Sequence, residues 1–307
     1  MKTVLLAGGT GGAKLAHGLQ QVLAPGELTV VVNVGDDTER HGLLVCPDLD
    51  TILYTLAGLA DAEQGWGVAN DTFTAMTMFE RFGDETWFRI GDADLATQVR
   101  RNQLMSHGSS LTDATATMAA ALGVPSRLVP ATDDQLRTRV LTDAGEIDFQ
   151  TYCVRHRQAD DVRGLRFEGA ETARPSPVVL EAIQEAELVV IGPSNPLVSI
   201  GPILEIPGMR EAAAHSGATK VGVSGIVAGK AIRGPADRML ATLGHEPTAR
   251  GVAAIYRGLL DHFVIDQADA ALAPDIAALG MRVSVLPTVM RSDADRAELA
   301  RSIVNLA

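Results

Sequence analysis

Four aspartates stand in two pairs, Asp36-Asp37 and Asp48 with Asp50, inside the stretch NVGDDTERHGLLVCPDLDT at residues 33–51. Carboxylates gathered this closely repel one another unless a cation compensates them, and such oxygen ligands suit magnesium held jointly with substrate phosphates. The first pair directly follows the apolar run LTVVVNV at residues 28–34. The second follows Pro47 and precedes Ile52, Leu53 and Leu56, which recur at helical spacing. Asp48 and Asp50 therefore stand near a helix start, where one of them could serve simply as an N-cap. A single cap does not account for four carboxylates.

A second chemical candidate lies upstream, in Gly8-Gly9-Thr10-Gly11-Gly12-Ala13-Lys14. Between a strand and a helix, glycines let the backbone approach a ligand closely, and free N–H groups at the helix start attract phosphate. On this reading Gly11 should tolerate no side chain. The segment is not a Walker A loop, because Ala13 replaces the glycine before Lys14 and Leu15 replaces the Ser or Thr that would hold magnesium. It is also a poor dinucleotide fingerprint, since Lys14 falls where the last small residue is needed. Further on, IGPSNPLVSIGPIL at residues 191–204 offers Ser194 and Asn195 either as donors to a phosphate or as parts of a proline-shaped loop. Arg89, in WFRIGDADLAT, is a candidate cation for a polar substrate, against the ordinary role of a surface charge. The seven histidines are dispersed without a ligand pattern. No nucleophile and base pair can be read from the residues.

The elements that would position these groups follow from hydrophobic patterning. Residues 3–7 form a short apolar run before the glycines, and Leu15, Leu19 and Val22 continue at helical spacing. Further strand-like runs at 28–34, 188–191, 219–223, 262–265 and 282–286 are separated by helix-length stretches, the pattern of a parallel sheet with crossover helices. The expected fold is a Rossmann-like α/β protein with a mostly parallel sheet. Carboxyl ends of strands line the ligand crevice in such sheets, so the glycine turn and Asp36-Asp37 should share one cleft. Two segments interrupt the pattern: a helical insert at about residues 61–108 and a β-hairpin appendage at about 130–172, turning at Asp143-Ala144-Gly145. The expectation is one domain over residues 1–307.

Composition narrows the partners. Of 307 residues, 46% are hydrophobic and 21% charged, enough for a substantial core, and a net charge of −12 argues against a broad basic surface for nucleic acid or anionic membrane. Cys46 and Cys153 are far apart without metal-type spacing, so both should be small core residues in a reducing compartment. The apolar run at the start is too short for a signal peptide, and no membrane-length apolar stretch occurs, which points to the cytoplasm.

Taken in order, AGGTGGAKLAHGL, VVNVGDD, GLLVCPDLDTILYTLAG, GWGVANDTF, WFRIGDADLAT, SLTDATATMAAALGV, LVPATDD, VVIGPSNPLVSIGPIL and GIVAGKAIRGPADRML resemble the 2-phospho-L-lactate transferase family of deazaflavin coenzyme F(420) biosynthesis, which includes bacterial phosphoenolpyruvate-type enzymes. The resemblance implies a magnesium-dependent, usually homodimeric enzyme. Its reaction would join the 5′-hydroxyl of 7,8-didemethyl-8-hydroxy-5-deazariboflavin to the phosphate of a guanylylated three-carbon acid, releasing GMP. Carried over by position, Asp50 and Arg89 would contact the deazaflavin, and Asp37 and Asp48 would hold magnesium or orient the attacking hydroxyl. Gly8, Gly9, Thr10, Gly11 and Gly12, with Ser194 and Asn195, would bind the guanylyl donor. Ala93 departs from a common form of the pattern, which has a charged residue there. The insert's Trp66, Phe73, Met76, Met78, Phe79 and Trp87 should either pack its core or wall the deazaflavin pocket.

Two other readings remain beside it. One is a non-catalytic nucleotide-sugar-binding regulator of the gluconeogenesis-factor type, which shares the glycine turn but carries a DDGGSSGRLR-like segment where this chain has GDDTERHGLLVCPDLDT. The other is an NAD-type oxidoreductase, disfavoured by Lys14 and the lack of a hydride-transfer centre. Whether the donor carries a lactyl, enolpyruvyl or glyceryl group is not written in any single residue.

Overall fold

The computed structural model describes residues 1–61 and 63–307; Ala62, within the expected helical insert, lies outside the described residues. Its centre is a seven-stranded parallel sheet built from β1 (Thr3–Ala7), β2 (Leu28–Val32), β5 (Arg127–Pro130), β9 (Leu188–Ile191), β10 (Thr219–Val223), β13 (His262–Asp266) and β14 (Arg282–Leu286). The spatial order is β14-β13-β10-β9-β1-β2-β5. Strands β1, β2, β9 and β13 are buried along their whole length, which is why they read as unbroken apolar runs rather than alternating ones. β5 has only four residues and ends in proline, tolerable only at the sheet edge it occupies, so apolar patterning does not single it out.

This order sets the site. From β1 the chain moves outward to β2 and β5, then returns to pair β9 with the other side of β1, both in parallel register. The strand order therefore reverses between β1 and β9, and the crevice outside their carboxyl ends is where such sheets bind ligands. The glycine turn leaves β1 there and enters α1 (Gly9–Val22). The Ser194 loop leaves β9 beside it, and the segment from Asn33 to Asp37 leaves β2.

The two interruptions flank this end. Beyond Asp37 the chain makes a small hairpin, β3 (Thr38–Arg40) with β4 (Leu43–Val45), before α2 (Pro47–Leu56). The insert contributes α3 (Thr74–Phe82) and α4 (Asp92–Ser106), followed by α5 (Leu111–Ala121). Of its large apolar side chains Met76 is buried, with Val45 and Ile90, while Phe73 and Phe79 pack partly against them. Trp66 and Met78 are exposed, so the insert's apolar residues are only in part a core. The appendage is a three-stranded antiparallel sheet, β7-β6-β8, from β6 (Arg137–Thr142), β7 (Gly145–Asp148) and β8 (Val162–Glu168). The expected hairpin at Asp143-Ala144-Gly145 joins β6 to β7. Strand β8 adds to the expected hairpin: VRGLRFE carries three charges and a glycine and lacks a strand-like apolar run, and it is held by its pairing with β6 and by the Arg139–Glu168 ion pair.

Candidate active site

The glycine turn is shaped first by the protein itself. Gly8 N donates to Ser194 Oγ at 3.2 Å, and Ser194 Oγ donates to Gly8 O at 2.8 Å, splinting the ends of β1 and β9. A Cβ on Gly11 would lie 2.2 Å from the Pro193 carbonyl oxygen, and one on Gly12 would lie 2.8 Å from Ser194 Oγ. Gly11 is thus required by the approach of the β9 loop, whatever ligand the turn holds. Gly9 differs: it has φ +62° and an added Cβ would meet open space. Asn195 turns onto its own loop, its Oδ1 accepting from Leu197 N at 2.9 Å and its Nδ2 directed at Met239 Sδ. Thr10 Oγ1 donates to the Gly65 carbonyl at 3.1 Å, tying the turn to the insert.

Asp48 joins this turn to the acidic segment. It lies in the first turn of α2, yet neither it nor Asp50 caps that helix, whose N-cap is Cys46 with no side-chain hydrogen bond. Instead Asp48 Oδ1 accepts from Gly9 N at 2.8 Å, at the start of α1, and its Oδ2 accepts from Asn33 Nδ2 at 2.9 Å. Asn33 Oδ1 in turn accepts from Gly35 N and holds the loop that presents Asp36 and Asp37.

Among the described residues, Asp36 and Asp37 are the carboxylates that keep a buried oxygen without a partner. Asp36 and Asp37 are 6% and 5% exposed, and the Oδ1 atom of each has no hydrogen-bond partner. Buried acceptors without partners are rare because each one forfeits its hydration. Burial drives the Asp36 carboxyl well above its ordinary pKa, and the neighbouring charges of Asp48 and Asp37 add to this against a hydrogen bond from Asn33. Burial likewise lifts Asp37 to about 7, opposed by Arg137 and, less strongly, by Arg101. Burial also raises Asp48 against its bonds from Asn33 and Gly9. Asp36, to which the sequence reading gave no role of its own, is the carboxylate that feels Asp48 most. Both Asp36 and Asp37 line a cavity of about 290 Å³ shared with Arg137 and Gln150 of the appendage.

Asp50 has a different environment. It forms a buried bidentate ion pair with Arg101 of α4, one limb through Nη2 to Oδ1 and the other through Nη1 to Oδ2 at 3.2 Å. Gln98 Nε2 donates to the same Oδ2 at 2.9 Å and to Asp94 Oδ1 at 2.8 Å, and Tyr54 Oη donates to Asp94 at 2.7 Å. Burial opposes the charge of Arg101, but Asp50 reverses this and holds the guanidinium above its ordinary pKa. Arg89 is exposed and lies over the Phe73 ring at 4.0 Å. A second cavity of about 460 Å³ opens between the β3–β4 hairpin and the insert, lined by Arg40, His41, Phe79, Trp87 and Phe88 among others. Its faces are pre-stacked, His41 on Phe79 at 4.1 Å and Arg40 over Trp87 at 4.5 Å.

The expected residues thus converge unequally. Asp36, Asp37, Asp48 and the glycine turn gather at the switch point; Ser194 and Asn195 are committed to protein bonds; Arg89 stands on the insert. Among the described residues no three His, Cys, Asp or Glu side chains form a metal cage. The free oxygen of Asp36, with the Asp48 carboxylate beside it, could still serve a hard cation that takes its remaining ligands from phosphate and water. Cys46 is buried, Cys153 half-buried, and both are free thiols. Among the described residues, no helix is long and apolar enough to cross a membrane.

Relatives match the chain along nearly its whole length. The model of the family described as 2-phospho-L-lactate transferase CofD matches residues 3–287. A phosphoenolpyruvate transferase of Streptomyces griseus is 42% identical over 313 residues, covering 100% of this chain and 98% of its own. A 2-phospho-L-lactate transferase of Methanosarcina mazei is 38% identical, covering 98% and 99%. The crystal structure of a UPF0052 family protein from Bacillus halodurans superposes with a TM-score of 0.64 at 18% identity over 98% of each chain, a likeness of fold. With the family matched from its first strand to its last, the chain belongs to the 2-phospho-L-lactate transferase CofD family.

Proposed function

We propose that this transferase moves a phospho-three-carbon-acid group from its guanosine diphosphate-linked donor to the ribityl 5′-hydroxyl of 7,8-didemethyl-8-hydroxy-5-deazariboflavin, a step of coenzyme F(420) biosynthesis. The observation that carries the reading is the pair of buried, partnerless carboxylate oxygens on Asp36 and Asp37 at the switch point. An enzyme that keeps such groups at a cost in stability has a use for their charge. Phosphoryl transfer needs positioning and charge compensation rather than a covalent nucleophile, which suits a crevice without a reactive His or Cys.

In this reading the donor's diphosphate lies along the glycine turn, where Gly9 leaves open space and the first turn of α1 has free N–H groups. Asp36 and Asp48, adjacent and mutually repelling, would hold Mg²⁺. When bound, Mg²⁺ would offset phosphate charge as the anhydride bond to GMP breaks. Asp37 takes the proton as the 5′-hydroxyl oxygen bonds to the phosphorus bearing the acid; burial raises its carboxyl above the ordinary range, the direction a general base needs. The deazaflavin ring is flat and largely apolar, and the aromatic-lined cavity between hairpin and insert offers it walls near Arg89.

The test is direct. Purified protein with Mg²⁺ and deazaflavin is offered lactyl, enolpyruvyl and glyceryl diphosphoguanosine in turn, and products are read by mass. Phosphodiester product and GMP are expected with at least one donor; no product from any of the three would overturn the proposal.

A further inference from the structure

We propose that Arg101 is a positioning residue that removes Asp50 from the cation-binding set, leaving Asp36 and Asp48 to hold a divalent ion. The inference rests on the reading of the crevice as a cation-dependent transfer site, and it assigns a role to a residue whose neighbours in QVRRNQ read as solvent-facing polar groups.

Arg101 is 1% exposed, and the fork of its guanidinium closes on both oxygens of Asp50. Gln98 fastens the pair from both sides: its Nε2 donates to Asp50 Oδ2, and its Oε1 accepts from Arg101 Nη1. Counting lone pairs, Asp50 Oδ2 accepts twice and Oδ1 once. One lone pair on Oδ1 remains, enough to accept from a substrate hydroxyl. The carboxylate's negative charge, however, is already matched by a fixed cation. A planar, always-charged fork suits this task where a lysine would not.

The neighbouring carboxylates lack any such closure. Asp36 and Asp37 each have an oxygen with no partner, and Asp48 accepts only neutral donors, Gly9 N and Asn33 Nδ2. Arg101 thus sets Asp50 apart as the one of the four carboxylates closed by a bidentate cation, whereas Asp37 feels Arg137 and Arg101 only through space and Asp36 and Asp48 accept from no cation. Without it, the four would present one more negative charge to any cation entering the crevice.

This yields an effect opposite in sign to that of a purely structural ion pair. Metal-free protein is titrated with Mn²⁺ alone, and the free-ion electron paramagnetic resonance signal gives the dissociation constant. Arg101→Gln releases the Asp50 charge, so Mn²⁺ should bind about tenfold more tightly. Transfer by that variant should nevertheless slow, because the ion is drawn toward Asp50. Arg101→Lys, which keeps the charge but not the fork, should bind Mn²⁺ within about twofold of the wild type.

Breaking one partner of a buried pair can prevent folding, so the double variant Asp50→Asn with Arg101→Gln supplies a second arm without an unpaired charge. It should retain Mn²⁺ affinity within about twofold of the wild type, since the overall charge of the cluster is unchanged. If Asp50 were itself a cation ligand, the double variant would bind about tenfold more weakly or worse, and the inference would be overturned. Equal or weaker binding by folded Arg101→Gln would overturn it too. Failure of the wild-type protein to bind Mn²⁺ at all would remove the cation site and this inference with it, an outcome distinct from altered affinity in the variants.

Discussion

The two walls of the crevice are built on opposite principles. On the side of β1 and β9, polar groups are closed on one another: Ser194 bridges the Gly8 backbone in both directions, and Asn195 accepts from its own loop. On the side of β2, Asp36 and Asp37 keep partnerless oxygens at 5–6% exposure. The first wall is finished without a ligand, and the second is not. Satisfied buried groups speak for the fold, while unsatisfied ones speak for whatever the fold has been kept to bind. Asp48 belongs to both, because its bonds to Gly9 and Asn33 set the distance between the walls.

The largest expected effect would break the comparison on its finished side. Gly11→Val drives a side chain into the Pro193 carbonyl and should cost about 3 kcal/mol in urea unfolding, weakening both substrates alike. Gly9→Ala, strained only by its positive φ, should cost about 1 kcal/mol and raise the apparent Michaelis constant for the donor alone. Equal stability of the two variants would contradict the reading of the β1–β9 splint.

A smaller effect concerns the polar network beneath the open wall. Asp94 is lifted to about 6 by burial and then by the charge of Asp50, against hydrogen bonds from Tyr54 and Gln98. The native state therefore holds its proton between pH 4 and 6 more firmly than the unfolded chain does. Stability from this group is full below its unfolded pKa and is lost as pH rises through 6. Asp94→Asn should remove that loss, making unfolding free energy about 2 kcal/mol less dependent on pH over this window. An unchanged pH profile would place the proton elsewhere.

The smallest effect tests where the aromatic substrate lies. Arg89 is exposed over Phe73 and engages no carboxylate among the described residues. Arg89→Ala should raise the apparent Michaelis constant for deazaflavin about fivefold and leave that for the donor unchanged. Unaltered deazaflavin kinetics would leave Arg89 an ordinary surface charge.

Much of this was legible in the sequence because the physics is local. Unbroken apolar runs announced β1, β2 and β9, and parallel pairing then brought the glycine turn, the Ser194 loop and Asp36-Asp37 to one end. What the sequence concealed depends on partners distant in the chain. In QVRRNQ, Arg100 and Arg101 read alike as solvent charges, yet one turns outward and the other is among the most buried side chains of the fold. The stripe Asp94, Gln98, Arg101 at i, i+4, i+7 was the available signal: polar residues on one helical face, pointing inward only because Asp50 waits there. Gly11 tolerates no side chain, as its place in the glycine turn suggested, but the obstacle in the fold is the Pro193 carbonyl, far along the chain. Strand β8 hid behind its charges, which are paired across the appendage.

The central claim is that the open wall is maintained for function at the expense of stability, and Asp37→Asn tests it on one sample. An amide of the same shape removes a buried charge from a site with no partner for its Oδ1. At pH 8, thermal unfolding and GMP release with deazaflavin and Mg²⁺ are measured side by side. The account predicts a melting temperature equal to or above that of the wild type with turnover reduced at least about a hundredfold. Normal turnover, or a parallel fall in turnover and melting temperature, would contradict it.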